Sequence, residues 1–531
     1  MRIIQSFWSL PSKAYNRNDN FGRNNGGWIA EKYHAMSWSL SCLKFNQFYN
    51  DVELYTDTDG YDWLINKLGL PYTNVFKSLD DISNYDISLW ALPKLNTFMR
   101  QTEPFLHADG DVYIWKPFSN NFLAKELFVQ NIECDILNNP EGNIYIETLK
   151  KLEINSAHVP DFLKKTIRLF KQTGKIEAFN MGIVGGKNVE FFKEYAKQVF
   201  LFLDKNKEIA FQGIDMNFIE QFLLYCLADE YKLPADVLFG EENVASNGGY
   251  ATLQQFNLVP ISKSYIHLLG GSKTTQNACL QLALRLQYEF PVMYNHILSI
   301  YKEEPTRHYL NSRKLIDKPG LRSVFQNTLL LLNRLGFKFE KKAFKGFFDF
   351  VEDVLCKSED SIDLRRLNDV FQFEKFAYFS AYKNPKSKFN EIEHRNKLFK
   401  LLYNSTICEF LKNKFTLNTV LINIIAVNFK YPPEFSINTL NTIIMEQQPD
   451  SISNDMLLLK FSEDNMIHAE VIDNGEALLT YFDENHLSGY ELIDFIKNEK
   501  LQIKSEDNDL EAFALSFLTT CSLYHNYLVL V

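Results

Sequence analysis

The sequence predicts an α/β domain over residues 1–300, with a mixed, mainly parallel sheet flanked by helices. A helical domain over 301–440 and a small acidic α+β domain over 441–531 follow. Three observations carry this expectation. Short apolar runs alternate with helical patterns through the first 300 residues, as strands joined by crossover helices do. Beyond 300, apolar residues recur at three- and four-residue spacing. Charge also changes by segment: 301–440 holds 24 basic and 16 acidic residues, net +8, and 441–531 holds four lysines against 17 acids, net −13. Residues 1–300 then carry −5 of the total −10.

Taken in order, Met1–Trp8 reads as a first strand, and Gly26-Gly27 precedes an amphipathic stretch, Trp28 to Phe45, that reads as a helix. Asp51–Thr56 is a second strand. Leu89 to Arg100 is helical after Pro93 and runs into Phe105 to Trp115, a short strand, a carboxylate-bearing turn at Asp109-Gly110-Asp111, and another strand. In the second segment Leu321–Leu335, Phe347–Leu355, Lys397–Lys412 and Leu417–Phe429 show helical spacing. In the third, Met456–Phe461, Ala469–Ile472 and Ala477–Tyr481 alternate as strands, and Gly489–Lys497 and Leu510–Tyr524 read as helices.

Composition excludes several classes. With 46% apolar and 23% charged residues the chain of 531 residues has too much to bury to be disordered. A net charge of −10 is opposite in sign to that of a whole-protein nucleic-acid binder. No window approaches the ~18 uninterrupted apolar residues of a membrane span, and the start reads as a strand rather than a signal peptide, so a cytoplasmic location is expected. The seven cysteines are scattered with no Cys-x-x-Cys pair, which indicates neither a disulfide framework nor a zinc knuckle.

The chemistry centres on Asp109-Gly110-Asp111. Two hard oxygen donors at a strand end suit Mn²⁺ or Mg²⁺ shared with a diphosphate. A second Asp-x-Asp, Asp57-Thr58-Asp59-Gly60, reads as a turn. What distinguishes the first pair is Tyr265 to Lys273. There His267 offers a third metal ligand, Gly270 and Gly271 let backbone N–H groups approach a phosphate, and Lys273 supplies a cation. With ten His, 22 Gly and 56 Lys plus Arg, about 0.04 chance matches to His-x-x-Gly-x-x-Lys/Arg are expected in the chain. The plainer reading is a buried histidine beside a glycine turn.

The ordered set Lys94-Leu95, Phe105 to Ile114, Phe179-Asn180-Met181-Gly182-Ile183-Val184, Gln212 to Asn217 and His267-x-x-Gly270-x-x-Lys273 resembles the nucleotide-sugar glycosyltransferases of the GT-A fold. The likeness is nearest to the glycogenin and lipopolysaccharide galactosyltransferase group and covers about residues 1–285. It implies that Asp109, Asp111 and His267 hold Mn²⁺ (or Mg²⁺) on the diphosphate of a UDP-sugar, with Lys273 on the phosphates. It also implies that Lys94 contacts the donor, that Asn180 and Gly182 line the sugar pocket, and that Ser6 and Trp8, at the end of the first strand, receive the base. Trp8 or Tyr55 would stack on uracil, while the abundance of aromatic residues (45 Phe, 26 Tyr, 6 Trp) favours a core position for each. Lys94 also reads as a solvated surface lysine, and Asn180-Gly182 as a turn.

Asp215 is the carboxylate placed beside the transferred sugar or acceptor. Here the chain departs from the family, whose Asp-Gln-Asp is replaced by a stretch with one carboxylate and a shorter gap to Asn217. Asp215 also reads as a cap for a helix over Phe218 to Leu227. Residues 456–531 resemble the winged-helix peptide-recognition domains of peptide-modifying enzymes, similar to the pyrroloquinoline quinone peptide chaperone, which implies a peptide acceptor. The expected function is therefore sugar transfer from a nucleotide sugar to a peptide or glycan, with no nucleic acid and no membrane span involved. The alternatives are a non-catalytic, peptide-binding scaffold built on a glycosyltransferase-like domain, and a metal-dependent nucleotidyltransferase or phosphohydrolase using the same carboxylates.

Overall fold

The opening segment Met1–Trp8 becomes an interior strand of a sheet, with both of its faces covered. In a computed structural model of the protein, strand β1 (Arg2–Phe7) pairs in parallel with β2 (Val52–Thr56) on one side and β4 (Phe105–Ala108) on the other. The structure describes residues 1–13, 24–137, 144–154, 158–207, 216–240, 254–302, 321–340, 344, 346–357, 361–379, 390–419, 421–429, 434–436, 456–461, 467–472, 476–482, 485–499, 501 and 509–531. The chain divides into two units, Met1–Pro305 and Thr306–Val531.

In the first unit the described residues form a seven-stranded sheet in the order β3-β2-β1-β4-β7-β6-β8, with β3 at Asn74–Lys77, β6 at Phe128–Ile136, β7 at Lys175–Gly186 and β8 at Asp236–Val237. The sheet is mixed. β3, β2, β1 and β4 run in parallel, β7 is antiparallel to both β4 and β6, and β8 is parallel to β6. Ile3 packs on one face with Phe45 of helix α1 (Glu31–Phe48), and Ile4 on the other with Leu92, Leu95 and Phe98 of α2 (Leu92–Met99). Fully burying such side chains contributes about 1.5–3 kcal/mol each. Burial on both faces is why the adjacent Ile3 and Ile4 are both apolar, where a strand covered on one face would alternate.

β4 and the following strand β5 (Val112–Ile114) do not pair with each other across the Asp109-Gly110-Asp111 turn. β5 leaves the large sheet and pairs antiparallel with β9 (Tyr265–His267), placing Val112 opposite His267. α1 packs on β5 and on the later helix Gln276–Glu289, to which it is tied by a buried pair, Lys44 Nζ to Glu289 Oε2 at 2.7 Å.

The second unit combines helices Gln326–Arg334, Phe347–Lys357, Ile362–Tyr378, Glu391–Asn404, Gly489–Asn498 and Leu510–Thr519 with two antiparallel sheets. One sheet has strand Lys414–Leu417 between Leu487–Ser488 and Leu528–Leu530. The other has the order Ile422–Ala426, Met456–Phe461, Ile467–Val471, Glu434–Ser436. Strands on either side of position 440 therefore share both sheets.

Two local expectations are overturned. Where a helix was expected over Leu417–Phe429, the chain forms strand Ile422–Ala426. Ile422, Ile424 and Ile425 are β-branched, lose rotamer freedom in a helix, and pack well on a pleated surface facing Met456–Phe461. Ala477–Tyr481 is not a strand but lies in a 3₁₀ helix, Glu476–Phe482, whose Leu478, Leu479 and Phe482 are buried at helical rather than alternating spacing. Among the described residues no helix is long and apolar enough to cross a membrane.

Candidate metal centre

The carboxylate turn is held from three sides. Asp109 N–H donates to Gly182 O of β7 at 3.0 Å, and Val112 N–H closes the turn on Asp109 O at 3.2 Å. From α1, the Ser37 hydroxyl donates to Gly110 O at 2.8 Å and the Ser41 hydroxyl to Val112 O at 2.8 Å. Gly110 is required by packing: a Cβ there would lie 2.5 Å from the Trp38 ring. The absent side chain thus makes room for α1. Asp57, of the second Asp-x-Asp, accepts from Gly60 N–H at 2.8 Å and caps a short helix, Thr58–Tyr61.

The β5–β9 register brings His267 beside Asp111, and Leu268 N–H donates to Asp111 O at 3.1 Å. One ligand atom each from Asp109, Asp111 and His267 lie within 4.8 Å of one another. His267 Nε2 stands 3.4 Å from Asp111 Oδ1, a buried oxygen with no hydrogen-bond partner. An unpartnered buried carboxylate oxygen is costly unless a cation shares it. Two carboxylates and an imidazole suit Mn²⁺ or Mg²⁺, so the residues present fit the expected ion.

Each carboxylate also carries a lysine. Lys273 ion-pairs with Asp111 Oδ2. Lys94 Nζ sits 2.9 Å from Asp109 Oδ1, ion-pairs with Glu220, and donates to Met181 O at 3.0 Å. Burial opposes charge on Asp111, but the Lys273 ammonium outweighs it and holds the carboxyl well below the usual aspartate range. Burial likewise opposes the Lys94 ammonium, yet Asp109 and Glu220 raise its pKa above the ordinary lysine value. The charges of Asp109, Asp111, Glu220, Lys94 and Lys273 leave the cluster one unit negative. A divalent ion would reverse that sign and make the site attractive to a diphosphate.

Lys94 is buried rather than a solvated surface lysine. Gly182 lies directly under His267: a Cβ there would be 2.2 Å from the ring carbon Cε1, so the missing side chain seats the imidazole. Asn180 Nδ2 donates to Glu133 Oε1 at 2.6 Å, and its Oδ1 accepts from Gly182 N–H at 3.0 Å. Asn180 is part of β7 rather than a turn. The Ser6 hydroxyl hydrogen-bonds His107 Nε2 at 2.9 Å. Trp8 and Tyr55 are both buried in the core, Tyr55 stacked on Phe76 at 4.7 Å between centroids. Gly270 and Gly271 face open space in the turn Gly270–Thr274 that carries Lys273, and Gly270 has a left-handed φ of +43°. Asp215 lies outside the described residues.

Several neighbours were missed by sequence reasoning. His107 Nδ1 is buried without a hydrogen-bond partner, 3.8 Å from Asp109 Oδ1, and burial together with Lys94 keeps the imidazole neutral. Glu220 pairs with Lys94, and Gln130 Oε1 lies 2.7 Å from His267 Nδ1. His34 Nε2 accepts from the Trp38 indole N–H at 3.0 Å, and burial, with Lys273 adding to it, lowers its pKa to about 3. The available signal was polarity inside apolar runs, as in Phe128-Val129-Gln130-Asn131-Ile132 and Phe218-Ile219-Glu220-Gln221-Phe222.

No curated protein matches the chain. A family model described as a family of unknown function (DUF6734) matches residues 1–300, which contain every residue of the candidate centre. That match spans more than half of the 531 residues, and the chain belongs to the DUF6734 family.

Proposed function

We propose that the chain is a metal-dependent glycosyltransferase of the GT-A type, moving a hexose from a nucleotide diphosphate sugar, most plainly a UDP-sugar, to a peptide or glycan acceptor. The observation that carries this reading is the convergence of Asp109, Asp111 and His267, with Lys273, at the carboxyl ends of β1 and β4. That is where open α/β sheets bind their ligands.

Asp109, Asp111 and His267 would hold Mn²⁺ (or Mg²⁺), which when bound supplies positive charge to a diphosphate leaving group. As the anomeric C–O bond breaks, its electron pair stays on the diphosphate oxygen, the acceptor oxygen bonds to the anomeric carbon, and the acceptor's proton passes to the departing diphosphate. Lys273, on a glycine turn open to solvent, provides a second cation for that charge, worth more as the bond breaks than before. Lys94 contributes by fixing Asp109 and Glu220 rather than by meeting solvent. Ser6 orients His107 beneath Asp109.

Incubation with a panel of nucleotide sugars, in Mn²⁺ or EDTA, tests the reading. Metal-dependent, sugar-selective release of UDP, lost in Asp111→Ala, is expected. Binding without turnover would favour a scaffold, and hydrolysis of nucleotides that carry no sugar would favour a phosphohydrolase. Failure to bind any nucleotide sugar would overturn the proposal.

A further inference from the structure

We infer that Gln130 and Asn131 form an amide relay that fixes His267 as the Nδ1–H tautomer and so presents a bare Nε2 to Asp111. Gln130 is then a positioning residue for the cation site, an assignment that rests on the metal-binding reading above.

The relay starts from an atom whose role cannot change. The backbone carbonyl of Ile132 only accepts, and Asn131 Nδ2 donates to it at 3.3 Å. The other end of that amide, Oδ1, is therefore an acceptor, and Gln130 Nε2 donates to it at 2.9 Å. This leaves Gln130 Oε1, again an acceptor only, facing His267 Nδ1 at 2.7 Å and the Tyr265 hydroxyl. An acceptor at that distance requires a proton on Nδ1. Both amides and the imidazole are buried, so water does not offer an alternative partner.

The far side of the ring fits. Nε2 is 3.4 Å from Asp111 Oδ1, longer than the roughly 2.7–2.9 Å of a charge-assisted N–H···O bond. Asp111 already has its counter-ion in Lys273. Two lone pairs thus face one another, the arrangement a cation resolves. Local backbone makes the relay possible. Adjacent residues on a regular strand point to opposite faces. Here the β6–β7 register is irregular, passing from Val129 opposite Val184 to Asn131 opposite Asn180, with Gln130 between. Such irregularities re-aim side chains. Orienting the second nitrogen of a ligating histidine through a hydrogen bond typically changes metal affinity by about 10–100-fold.

The test uses the full chain with ¹⁵N-labelled histidine, free of metal, and Mn²⁺ titrations of wild type, Gln130→Leu and Gln130→Glu, with thermal melting as a folding check. In wild type, His267 should show a protonated Nδ1 and a bare Nε2. Gln130→Leu should give mixed tautomers and about 10–100-fold weaker Mn²⁺ binding. Gln130→Glu keeps an acceptor and should restore the tautomer. A wild-type His267 with its proton on Nε2 overturns the relay, and so does a folded Gln130→Leu with unchanged tautomer and Mn²⁺ affinity. If Gln130→Leu does not fold, wild type and Gln130→Glu decide. Absence of Mn²⁺ binding by wild type would instead count against the metal reading, and the metal-free spectrum would still judge the relay.

Discussion

Replacing Gly182 by alanine separates the seating of His267 from the stability of the sheet beneath it. The added Cβ would lie 2.2 Å from His267 Cε1, 2.4 Å from Nδ1 and 2.7 Å from Gln130 Oε1. Real Cβ contacts essentially never fall below 3.0 Å, so the ring must retreat by at least about 0.8 Å. The strand is the less able to move: Gly182 N–H is bonded to Asn180 Oδ1, Gly182 O receives Asp109 N–H, and Met181 O receives Lys94. Metal–ligand distances tolerate about ±0.2 Å, so the displacement removes His267 from the coordination shell. Overpacking itself should cost about 1–3 kcal/mol. Gly182→Ala should therefore bind Mn²⁺ at least about 10-fold more weakly by calorimetry or EPR. Gly271→Ala, where a Cβ meets nothing within 4 Å, should bind as wild type does. A folded Gly182→Ala with wild-type Mn²⁺ affinity would refute the placement of His267 as a ligand.

Further outcomes follow from the same charges. Lys94→Met leaves Asp109 and Glu220 without their buried cation and should lose about 3–5 kcal/mol in urea unfolding, with part recovered by adding Glu220→Gln. His34 has a folded pKa of about 3, below its ordinary value near 6.5, so its stabilising contribution is complete above pH 6.5 and fades as pH falls toward 3. At pH 5 the loss is about 2 kcal/mol, and His34→Gln should flatten that part of the stability profile. Asp111 runs in the same direction: held low in the fold, it stabilises above the ordinary aspartate range near 3.9 and ceases to as the pH drops below it. Neutralising it as Asp111→Asn should remove the steepest part of acid unfolding.

The strands and helices around the centre were legible because their apolar patterns are set locally. β1, β2, the helix beginning near Glu31 and the strand–turn–strand at Asp109 lie within a few residues of their expected bounds. The grouping of Asp109, Asp111 and His267 was legible for a different reason: carboxylates and an imidazole at set spacing are few, and their chemistry restricts what they do. What the sequence could not disclose is which partner each strand takes. β5 pairs with β9, about 150 residues away, and only that register explains why His267 meets Asp111. The packing roles of two glycines stayed hidden for the same reason. Gly110 and Gly182 are open positions in sequence, and only tertiary packing shows Trp38 over one and His267 over the other. Gln130 and Glu220 carried a faint signal, polar residues within apolar runs, but their roles depend on long-range neighbours. Strand Ile422–Ala426 shows local propensity prevailing over a coincidental helical period.

A centre of this composition should bind a cation and a diphosphate together. Calorimetric titration of UDP into the full chain, with Mn²⁺ or EDTA, for wild type and Asp111→Asn, tests this. One Mn²⁺ per chain is predicted, with UDP binding that strengthens when Mn²⁺ is present and loses that dependence in Asp111→Asn. UDP affinity that is the same in Mn²⁺ and EDTA, or no Mn²⁺ bound by wild type even with UDP, would contradict it.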